Sequence, residues 1–309
     1  MRALLVGGSG FLGSHVQGAL LARGIEVCTL DRLPSRYGPS DSRVHLFIGE
    51  QDDPVTLARA LDGVDAVVHM ASATIPATSA ADPSGDVQAN LLPFLRHLEV
   101  VRSRAVRRFV FFSSGGTVYG LPSSLPVNES HSTNPIVSHG IIKLAMEKYL
   151  TVLLRDSGVE TTVLRVGNAY GERQAPFGNF GAVAAFLGCF ATRRPIHVWG
   201  SGEVVRDYVH AADVAEACAL ALTTDVAQGT FNIGTGRGHS LNQILRLIAD
   251  VTAQPPPEIR REPQRGFDVP AIVLDNTLAQ KGLNWLPKVA LEEGVRRTWE
   301  WVSHLELPK

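Results

Sequence analysis

The stretch from residue 3 to residue 13 constrains the fold of this chain more than any other. An apolar run at residues 3–6 leads directly into three glycines with the spacing Gly-x-x-Gly-x-x-Gly. A short apolar run is typical of a buried strand, and glycines in this spacing let the following turn approach a dinucleotide pyrophosphate. The helix that opens there offers unpaired N–H groups and the positive end of its dipole. The residues predicted to contact the cofactor are Gly7, Gly10, Phe11, Leu12 and Gly13.

Strands and helices alternate through the first half of the chain. Five further apolar runs are predicted to form buried parallel strands, at residues 26–30, 44–48, 66–69, 108–113 and 161–165. Helical patterns lie between them, at residues 14–23, 54–61, 88–101 and 138–156. This alternation predicts an α/β fold, in which a Rossmann-type doubly wound parallel sheet carries helices on both faces.

The pattern changes after residue 166, where it becomes irregular and richer in glycine and proline. We therefore predict a dinucleotide-binding domain at residues 1–166. A smaller C-terminal substrate-binding domain is predicted at residues 167–309, partly interleaved with the first. A late helix is expected at residues 241–251, and a strand after the three prolines at 255–257.

Composition and charge argue against several function classes. Of the 309 residues 45% are hydrophobic and the formal net charge is −1, so no surface for nucleic acid or membrane is predicted. We find no run of about 18 apolar residues that would indicate a membrane span, and no secretory signal pattern before the glycines. The three cysteines show neither disulfide nor metal-ligand spacing, and their odd number favours a reducing compartment. We therefore expect a cytoplasmic protein without a metal site.

An acidic residue ends the second predicted strand. The carboxylate of Asp31 can accept hydrogen bonds from both hydroxyls of an adenosine ribose, and it would repel a 2′-phosphate. The predicted cofactor is therefore NAD rather than NADP. Arg32 leaves an alternative open, since a cation directly after the strand can accommodate that phosphate; a solvated arginine is the simpler interpretation.

Five later segments match motifs that occur together, in the same order, in one family. They lie at residues 113–120, 135–147, 165–171, 202–210 and 265–270. With the glycines, they resemble the extended short-chain dehydrogenases/reductases, the NAD-dependent nucleotide-sugar epimerase and dehydratase family, over residues 2–288. The closest pattern is the UDP-glucose 4-epimerase type. The resemblance implies NAD as cofactor and a UDP-sugar as substrate, makes the C-terminal domain mainly nucleotide-sugar-binding, and places Ala71 beside the cofactor.

The catalytic motif of this family is altered in the chain. The family's Tyr-x-x-x-Lys helix corresponds to His139 and Lys143, and the usual serine or threonine of the triad corresponds to Gly115. Thr117 and Ser114 are the remaining hydroxyl candidates on the same loop. The resemblance implies that Lys143 also binds the nicotinamide ribose. The acidic pair that the family's dehydratases carry on this loop is absent, which argues against 4,6-dehydration.

Histidine can do the chemistry that tyrosine performs in the family. His139 and Lys143 are four residues apart, so they share one face of a helix. The lysine charge disfavours imidazolium and leaves a neutral imidazole that can accept a proton from a C4 hydroxyl. The imidazole reaches less far than a phenol, however, and a donor must approach to about 2.6–3.2 Å. Two interpretations therefore stay open: a working acid/base, or a tolerated replacement in a slow or inactive protein.

The resemblance also implies a set of substrate-binding residues. Asn168 would contact the substrate diphosphate, and Trp199 would stack on uracil, with a core tryptophan as the alternative. Arg206 and Arg265 would pair with phosphate oxygens, because the guanidinium fork suits them. Asp268 would accept a hydrogen bond from the uridine ribose.

These observations support three hypotheses of function. The leading one is an NAD-dependent epimerase that inverts C4 of a UDP-hexose through a transient 4-keto sugar. The second is another oxidoreductase or decarboxylase of nucleotide sugars on the same scaffold. The third is a protein that binds NAD and a UDP-sugar without turnover. Helices near residues 88–102 and 138–155 correspond to the family's dimer interface, so a homodimer is expected; the sugar itself is not identified.

Overall fold

The structure, a computed structural model, describes residues 1–35, 41–177, 181–224, 228–266 and 268–307. Its strands are β1 (Arg2–Val6), β2 (Glu26–Asp31), β3 (Val44–Ile48), β4 (Ala66–His69), β5 (Arg108–Ser114), β6 (Glu160–Val166), β7 (Asn168–Tyr170), β8 (Ile196–Trp199), β9 (Val205–His210), β10 (Gly229–Ile233), β11 (Gly238–Ser240) and β12 (Ile259–Glu262). Its α-helices are α1 (Phe11–Leu21), α2 (Pro54–Ala60), α3 (Pro76–Ala81), α4 (Pro83–Asp86), α5 (Leu92–Val101), α6 (Ser138–Leu154), α7 (Ala182–Thr192), α8 (Ala211–Thr223), α9 (Leu241–Thr252), α10 (Thr277–Leu283) and α11 (Leu291–Ser303).

Seven parallel strands form the central sheet, in the order β10-β6-β5-β4-β1-β2-β3. The inner strands are apolar and buried along their length, as expected for strands that helices cover on both faces. One face packs against α1 and α8, and the other packs against α2, α5 and α6. The predicted Rossmann-type doubly wound fold is therefore confirmed.

The C-terminal part of the chain forms a second apolar core between α7, α9 and α11. Two small sheets, β11-β9-β7 and β12-β8, lie in this part of the chain. Strand β10 nevertheless returns to the edge of the large sheet, beside β6. The segment after residue 166 therefore contributes both to the large sheet and to the second apolar core. The domain boundary at residue 166 stays a prediction. Within the described ranges, no helix is long and apolar enough to span a membrane.

The helix predicted at residues 88–101 is not continuous. A π-helical turn, Val87–Leu91, precedes the α-helix α5. Pro93 lies in the first turn of α5 and has no N–H, so it cannot donate the hydrogen bond that would continue a regular α-helix. The wider turn leaves the buried side chain of Asn90 pointing to the backbone N–H of Ala73, at 2.8 Å. π-Turns of this kind occur often at functional sites.

A buried ion pair joins α6 to the central sheet. The Arg165 guanidinium on β6 donates to both carboxylate oxygens of Glu147 on α6, at 3.1 and 2.7 Å, and both side chains are 6% exposed. Ser113 on β5 also donates to Glu147, and Arg165 donates to the Tyr119 hydroxyl at 3.0 Å. The Tyr119 hydroxyl in turn donates to Asn232 on β10 at 2.6 Å. The helix is therefore held by charge-assisted hydrogen bonds as well as by apolar packing.

We expect Glu147→Gln to lower the free energy of unfolding by about 3–5 kcal/mol, because it leaves the Arg165 charge buried without its counter-charge. Urea unfolding followed by fluorescence and circular dichroism measures this change. The matched control is Arg96→Ala, which removes an ion pair with Asp52 whose arginine is 64% exposed, and should cost less than about 1 kcal/mol. Equal losses in the two variants would contradict the structural role of the buried pair.

Candidate functional site

The glycine loop between β1 and α1 is packed so closely that side chains are excluded. Gly7 has a φ of +81°, and a Cβ added to it would lie 2.7 Å from the backbone nitrogen of Ala71. A Cβ on Gly13 would collide with the carbonyl of Gly8. The loop therefore forms a backbone cradle against the segment after β4, where the sequence places Ala71 beside the cofactor.

The start of α1 and the end of β2 complete this cradle. Helix α1 begins directly after Gly10, which provides no side-chain cap, so the N–H groups of the first turn remain available to an anion. The helix begins three residues before the predicted start, and Phe11, Leu12 and Gly13 therefore lie in its first turn. Asp31 lies beside the loop, because its carboxylate accepts from the Ser9 N–H at 3.0 Å.

These features fit a dinucleotide such as NAD. The cradle suits a pyrophosphate, and the Asp31 carboxylate keeps acceptor capacity for ribose hydroxyls next to it. Arg32 is exposed, as the simpler interpretation of this residue expects. His69, at the end of β4, is fully buried and contacts the Gln51 side chain at 2.6 Å.

The first turn of α6 packs directly on the loop after β5. A Cβ on Gly140 would lie 2.7 Å from the carbonyl oxygen of Thr117 and 2.9 Å from the Pro135 side chain. Only glycine allows this approach, which brings His139 and the Thr117 loop to the same place. The backbone N–H of His139 donates to the Ser79 hydroxyl at 3.1 Å, which fixes the start of the helix against α3.

The imidazole of His139 is held in its neutral form. Burial and, to a smaller extent, the positive charge of Lys143 lower the pKa of His139 to about 4, although the negative charge of Asp86 opposes both effects. The ring makes no hydrogen bond with any residue in the described ranges; only the backbone N–H of this residue does. At neutral pH the ring therefore offers a lone pair to an incoming proton donor.

Lys143 lies one turn further along α6 and is buried. Its ammonium donates to the carbonyl oxygen of Phe112 at 2.9 Å and lies 5.0 Å from the centre of the Phe111 ring. Burial lowers the pKa of Lys143 to about 8, whereas the charges of Glu147 and Asp86 raise it. Most of the ammonium therefore stays charged at pH 7, next to the neutral imidazole.

The hydroxyl candidates converge on this helix turn. The Thr117 hydroxyl is buried and finds no hydrogen-bond partner among the residues that the structure describes. A buried hydroxyl without a partner is uncommon, and it leaves this group available to a ligand. A Cβ on Gly116 would lie 3.6 Å from the Asn168 side-chain oxygen and 3.9 Å from the Ser114 hydroxyl. The loop and β7 therefore bring Ser114, Thr117 and Asn168 together.

The position expected to carry the triad serine or threonine is filled by other atoms. A Cβ on Gly115 would lie 2.6 Å from a terminal carbon of Leu274 and 2.9 Å from the carbonyl oxygen of Arg165. Leu274 is buried with Val118, Tyr119, Val127 and Ile272. The Leu274 side chain thus fills the space that a side chain at residue 115 would occupy. A serine or threonine at residue 115 would require a rearrangement of its neighbours.

The remaining predicted substrate residues form two pairs. Trp199 is 37% exposed, so the alternative of a core tryptophan is wrong, and the Arg265 guanidinium lies 3.6 Å from the centre of its ring. Arg206 donates to the carbonyl of Val269 at 2.6 Å and lies 3.9 Å from the Asp268 carboxylate. The two arginines are therefore oriented by protein contacts, and their phosphate-binding roles stay predictions.

Sequence reasoning missed the polar groups behind His139. Asp86, at the end of α4, is fully buried, and its carboxylate accepts from the hydroxyls of Thr74 and Ser138, each at 2.7 Å. Asn90 on the π-helical turn donates to the same carboxylate at 2.8 Å. Only the tertiary structure reveals this cluster, since nothing in the local pattern around residue 86 distinguishes it from a surface turn.

We expect Gly115→Ser to lower the free energy of unfolding by about 1–3 kcal/mol, because it overpacks the space that Leu274 fills. Urea unfolding of the single variant, and of the double variant with Leu274→Val, measures this coupling; the double variant should recover part of the loss. Gly116→Ser is the matched control, since a Cβ there meets nothing nearer than 3.6 Å. A fully stable Gly115→Ser protein would contradict the filling of this space by Leu274.

Comparison with known proteins shows similarity to one family over most of the chain. The sequence profile of the NAD dependent epimerase/dehydratase family matches residues 3–234. The UDP-glucose 4-epimerase of Mycolicibacterium smegmatis is 34% identical over 314 residues, which cover 97% of this chain and 98% of the relative.

Two solved structures are similar in both sequence and fold. The UDP-glucose 4-epimerase of Thermotoga maritima with UDP-glucose has a TM-score of 0.91 and 36% identity, over 97% of this chain and 98% of the other. The UDP-glucose 4-epimerase of Thermus thermophilus in complex with NAD also has a TM-score of 0.91 and 36% identity, over 98% and 99% of the two chains. The glycine cradle, the acidic end of β2 and the match to the family profile lead to one conclusion: the chain belongs to the NAD dependent epimerase/dehydratase family.

Proposed function

We propose that this protein is an NAD-dependent epimerase that inverts C4 of a UDP-hexose through a transient 4-keto sugar. The relatives named above are UDP-glucose 4-epimerases. One observation in the chain itself carries the proposal. His139, whose ring is neutral, lies in the first turn of α6, and this turn packs on the backbone of Thr117. The Thr117 hydroxyl is buried and has no hydrogen-bond partner among the described residues. A sugar hydroxyl between them would satisfy both groups.

The proposed roles follow from these positions. His139 accepts the proton of the C4 hydroxyl while the C4–O bond becomes a carbonyl, and it later returns the proton. Thr117, assisted by Ser114, holds the sugar hydroxyl by a hydrogen bond. Lys143 holds the nicotinamide ribose, and its charge keeps the imidazole neutral. NAD held by the glycine cradle and Lys143 would supply the hydride acceptor and donor for C4.

The UDP moiety is assigned to the second half of the chain. Asn168 and Arg206 would contact the diphosphate, and Arg265 would provide a second cation. Trp199 is 37% exposed and would stack on uracil with the ring face that Arg265 does not cover, and Asp268 would accept from the uridine ribose. The exposed tryptophan supports this assignment, because an aromatic ring on the surface is available for stacking.

The decisive assay is proton NMR of UDP-glucose incubated with the protein and NAD. We expect the anomeric signal of the C4 epimer to appear, and His139→Gln to lower the rate about 10²–10⁴-fold, because it removes the general base. The matched control is His45→Gln, which changes an exposed histidine on β3 and should leave the rate unchanged.

Other outcomes of this assay separate the alternative functions. Net formation of NADH without an epimer would indicate a one-way oxidoreductase. Unchanged spectra with saturation transfer from uridine protons would indicate a protein that binds NAD and UDP-sugar without turnover. A normal rate in His139→Gln would overturn the role of His139 but leave the epimerase assignment in place.

We also propose that the protein is a homodimer through α5 and α6. Exposed apolar side chains lie on the outer face of α6 and at the start of α5; they are Ile141, Tyr149, Val152 and Leu92, at 52%, 43%, 60% and 40% exposure. Leu98 and Leu150, on the same two helices, are buried in the monomer core and are not available to an interface. The remaining face supports the proposal, since a second copy would cover it.

We expect the double variant Ile141→Lys/Val152→Lys to be monomeric, because two charges would be buried in the interface. Light scattering after size exclusion measures the mass. Ile48→Lys is the control, since Ile48 is a similarly exposed apolar residue on β3, away from the proposed interface. A dimer that persists in the double variant would place the interface elsewhere.

A cytoplasmic location is part of the same proposal. All three cysteines are free, and Cys28 and Cys218 are buried in the core of the Rossmann sheet. Free thiols are typical of reducing compartments. The supply of NAD and nucleotide sugars in the cytoplasm agrees with the assigned chemistry.

A further inference from the structure

The carboxylate of Asp86 is buried near His139 and has no role in the proposed chemistry so far described. It is fully buried and accepts hydrogen bonds from Thr74, Asn90 and Ser138 at 2.7, 2.8 and 2.7 Å. All three donors are side chains, and they bind both oxygens of the carboxylate. Among the described residues no arginine, lysine or histidine contacts it as an ion pair, so its charge acts on groups further away.

The cluster around Asp86 is fixed to the start of the catalytic helix. Ser138 directly precedes His139, and its hydroxyl donates to the carboxylate. Asn90 also donates to the Thr74 hydroxyl at 2.9 Å and binds the backbone of Ala73 after β4. The carboxylate is thus anchored by α6, by the π-helical turn and by the segment after β4.

Charged groups around His139 come from two helices. The charge of Lys143 on α6 lowers the pKa of the ring, and the charge of Asp86 on α4 raises it. The neighbouring α3 and the loop after β5 contribute the neutral residues Ser79 and Thr117. The charge of Glu147 raises the pKa of Lys143, but the Glu147 carboxylate already accepts two hydrogen bonds from the Arg165 guanidinium. Within the part of the chain that the structure describes, Asp86 is therefore an anion close to His139 that has no direct ion-pair partner.

A histidine base has a different charge requirement from a tyrosine base. A tyrosinate is negative before it takes a proton and neutral afterwards. An imidazole is neutral before and positive afterwards, at a site where Lys143 is already positive. Two like charges in a buried site repel each other, so proton uptake by histidine needs a nearby negative charge.

We propose that Asp86 is a positioning residue that stabilises the imidazolium which His139 becomes when it takes the proton of the sugar hydroxyl. This inference rests on the proposed role of His139. In the step, the hydroxyl O–H bond breaks, the proton moves to the ring nitrogen, and the oxygen lone pair forms the carbonyl as C4 loses its hydride to the cofactor. Asp86 makes no contact with the substrate; it acts through the charge on His139.

The first test is an NMR titration of the histidine C2 protons in the protein without substrate, with the His139 signal assigned from His139→Gln. In the natural sequence His139 is expected to titrate with a pKa of about 4. Asp86→Asn keeps the size of the side chain and one acceptor oxygen for Thr74 and Asn90, but it replaces the second acceptor with an amide N–H donor and removes the charge. The pKa of His139 should therefore fall by about 1 unit or more. Asp82→Asn removes an exposed carboxylate on the same segment and should leave the titration unchanged. An unchanged His139 titration in Asp86→Asn would overturn the proposal.

The second test separates a charge effect from a structural one. We expect Asp86→Asn to lower kcat about tenfold with little change in KM, because the imidazolium forms only during the reaction. In a His139→Tyr background the same substitution should cause no loss, since a phenolate base gains nothing from a nearby anion. An equal loss in both backgrounds would show that Asp86 only supports the fold.

The two tests also separate this inference from the proposed function. If the natural protein turns over no UDP-sugar, the function proposed for it fails, yet the titration still reports whether Asp86 controls the charge of His139. If turnover is observed and the titration does not respond to Asp86→Asn, the epimerase stands and the inference fails.

Discussion

The buried pair between Glu147 and Arg165 is the interaction on which the rest of the site depends. It joins the middle of α6 to β6, and through Ser113 and Tyr119 it reaches β5 and β10. Taking two charges out of water is unfavourable, and the pair persists because its donor and acceptor atoms are hydrogen-bonded. A helix fixed in this way can hold a lysine and a histidine at one defined distance from the sheet edge.

Charge balance explains how a histidine can occupy this site. Lys143, Glu147, Arg165 and Asp86 are all buried, and two carry each sign. His139 adds no charge while it is neutral, which burial and Lys143 favour. The neutral imidazole therefore leaves the charge balance of the site unchanged. Proton uptake adds a positive charge near Lys143, and this charge requires stabilisation. In the proposed mechanism, the Asp86 charge provides this stabilisation.

Local sequence patterns predicted most of the strands and helices but not the tertiary contacts between them. Apolar runs and glycine spacing placed six strands of the large sheet, because burial and backbone conformation depend on neighbours in the chain. The π-helical turn before Pro93 escaped prediction, since the periodicity of residues 88–101 is that of an ordinary helix. The exposure of Trp199 and the filling of the Gly115 space by Leu274 depend on segments that lie far apart in sequence.

By itself, the sequence determined the fold class and the cofactor cradle, and it predicted the altered triad. Each of these depends on residue type and short spacing: glycines that allow close approach, an acid at a strand end, a histidine four residues before a lysine. The tertiary structure decided the electrostatic state of the site. Burial of His139, the closeness of Asp86 and the lone hydroxyl of Thr117 arise only when α4, α6 and the loop after β5 meet, because electrostatic energies depend on distance and desolvation rather than on order along the chain.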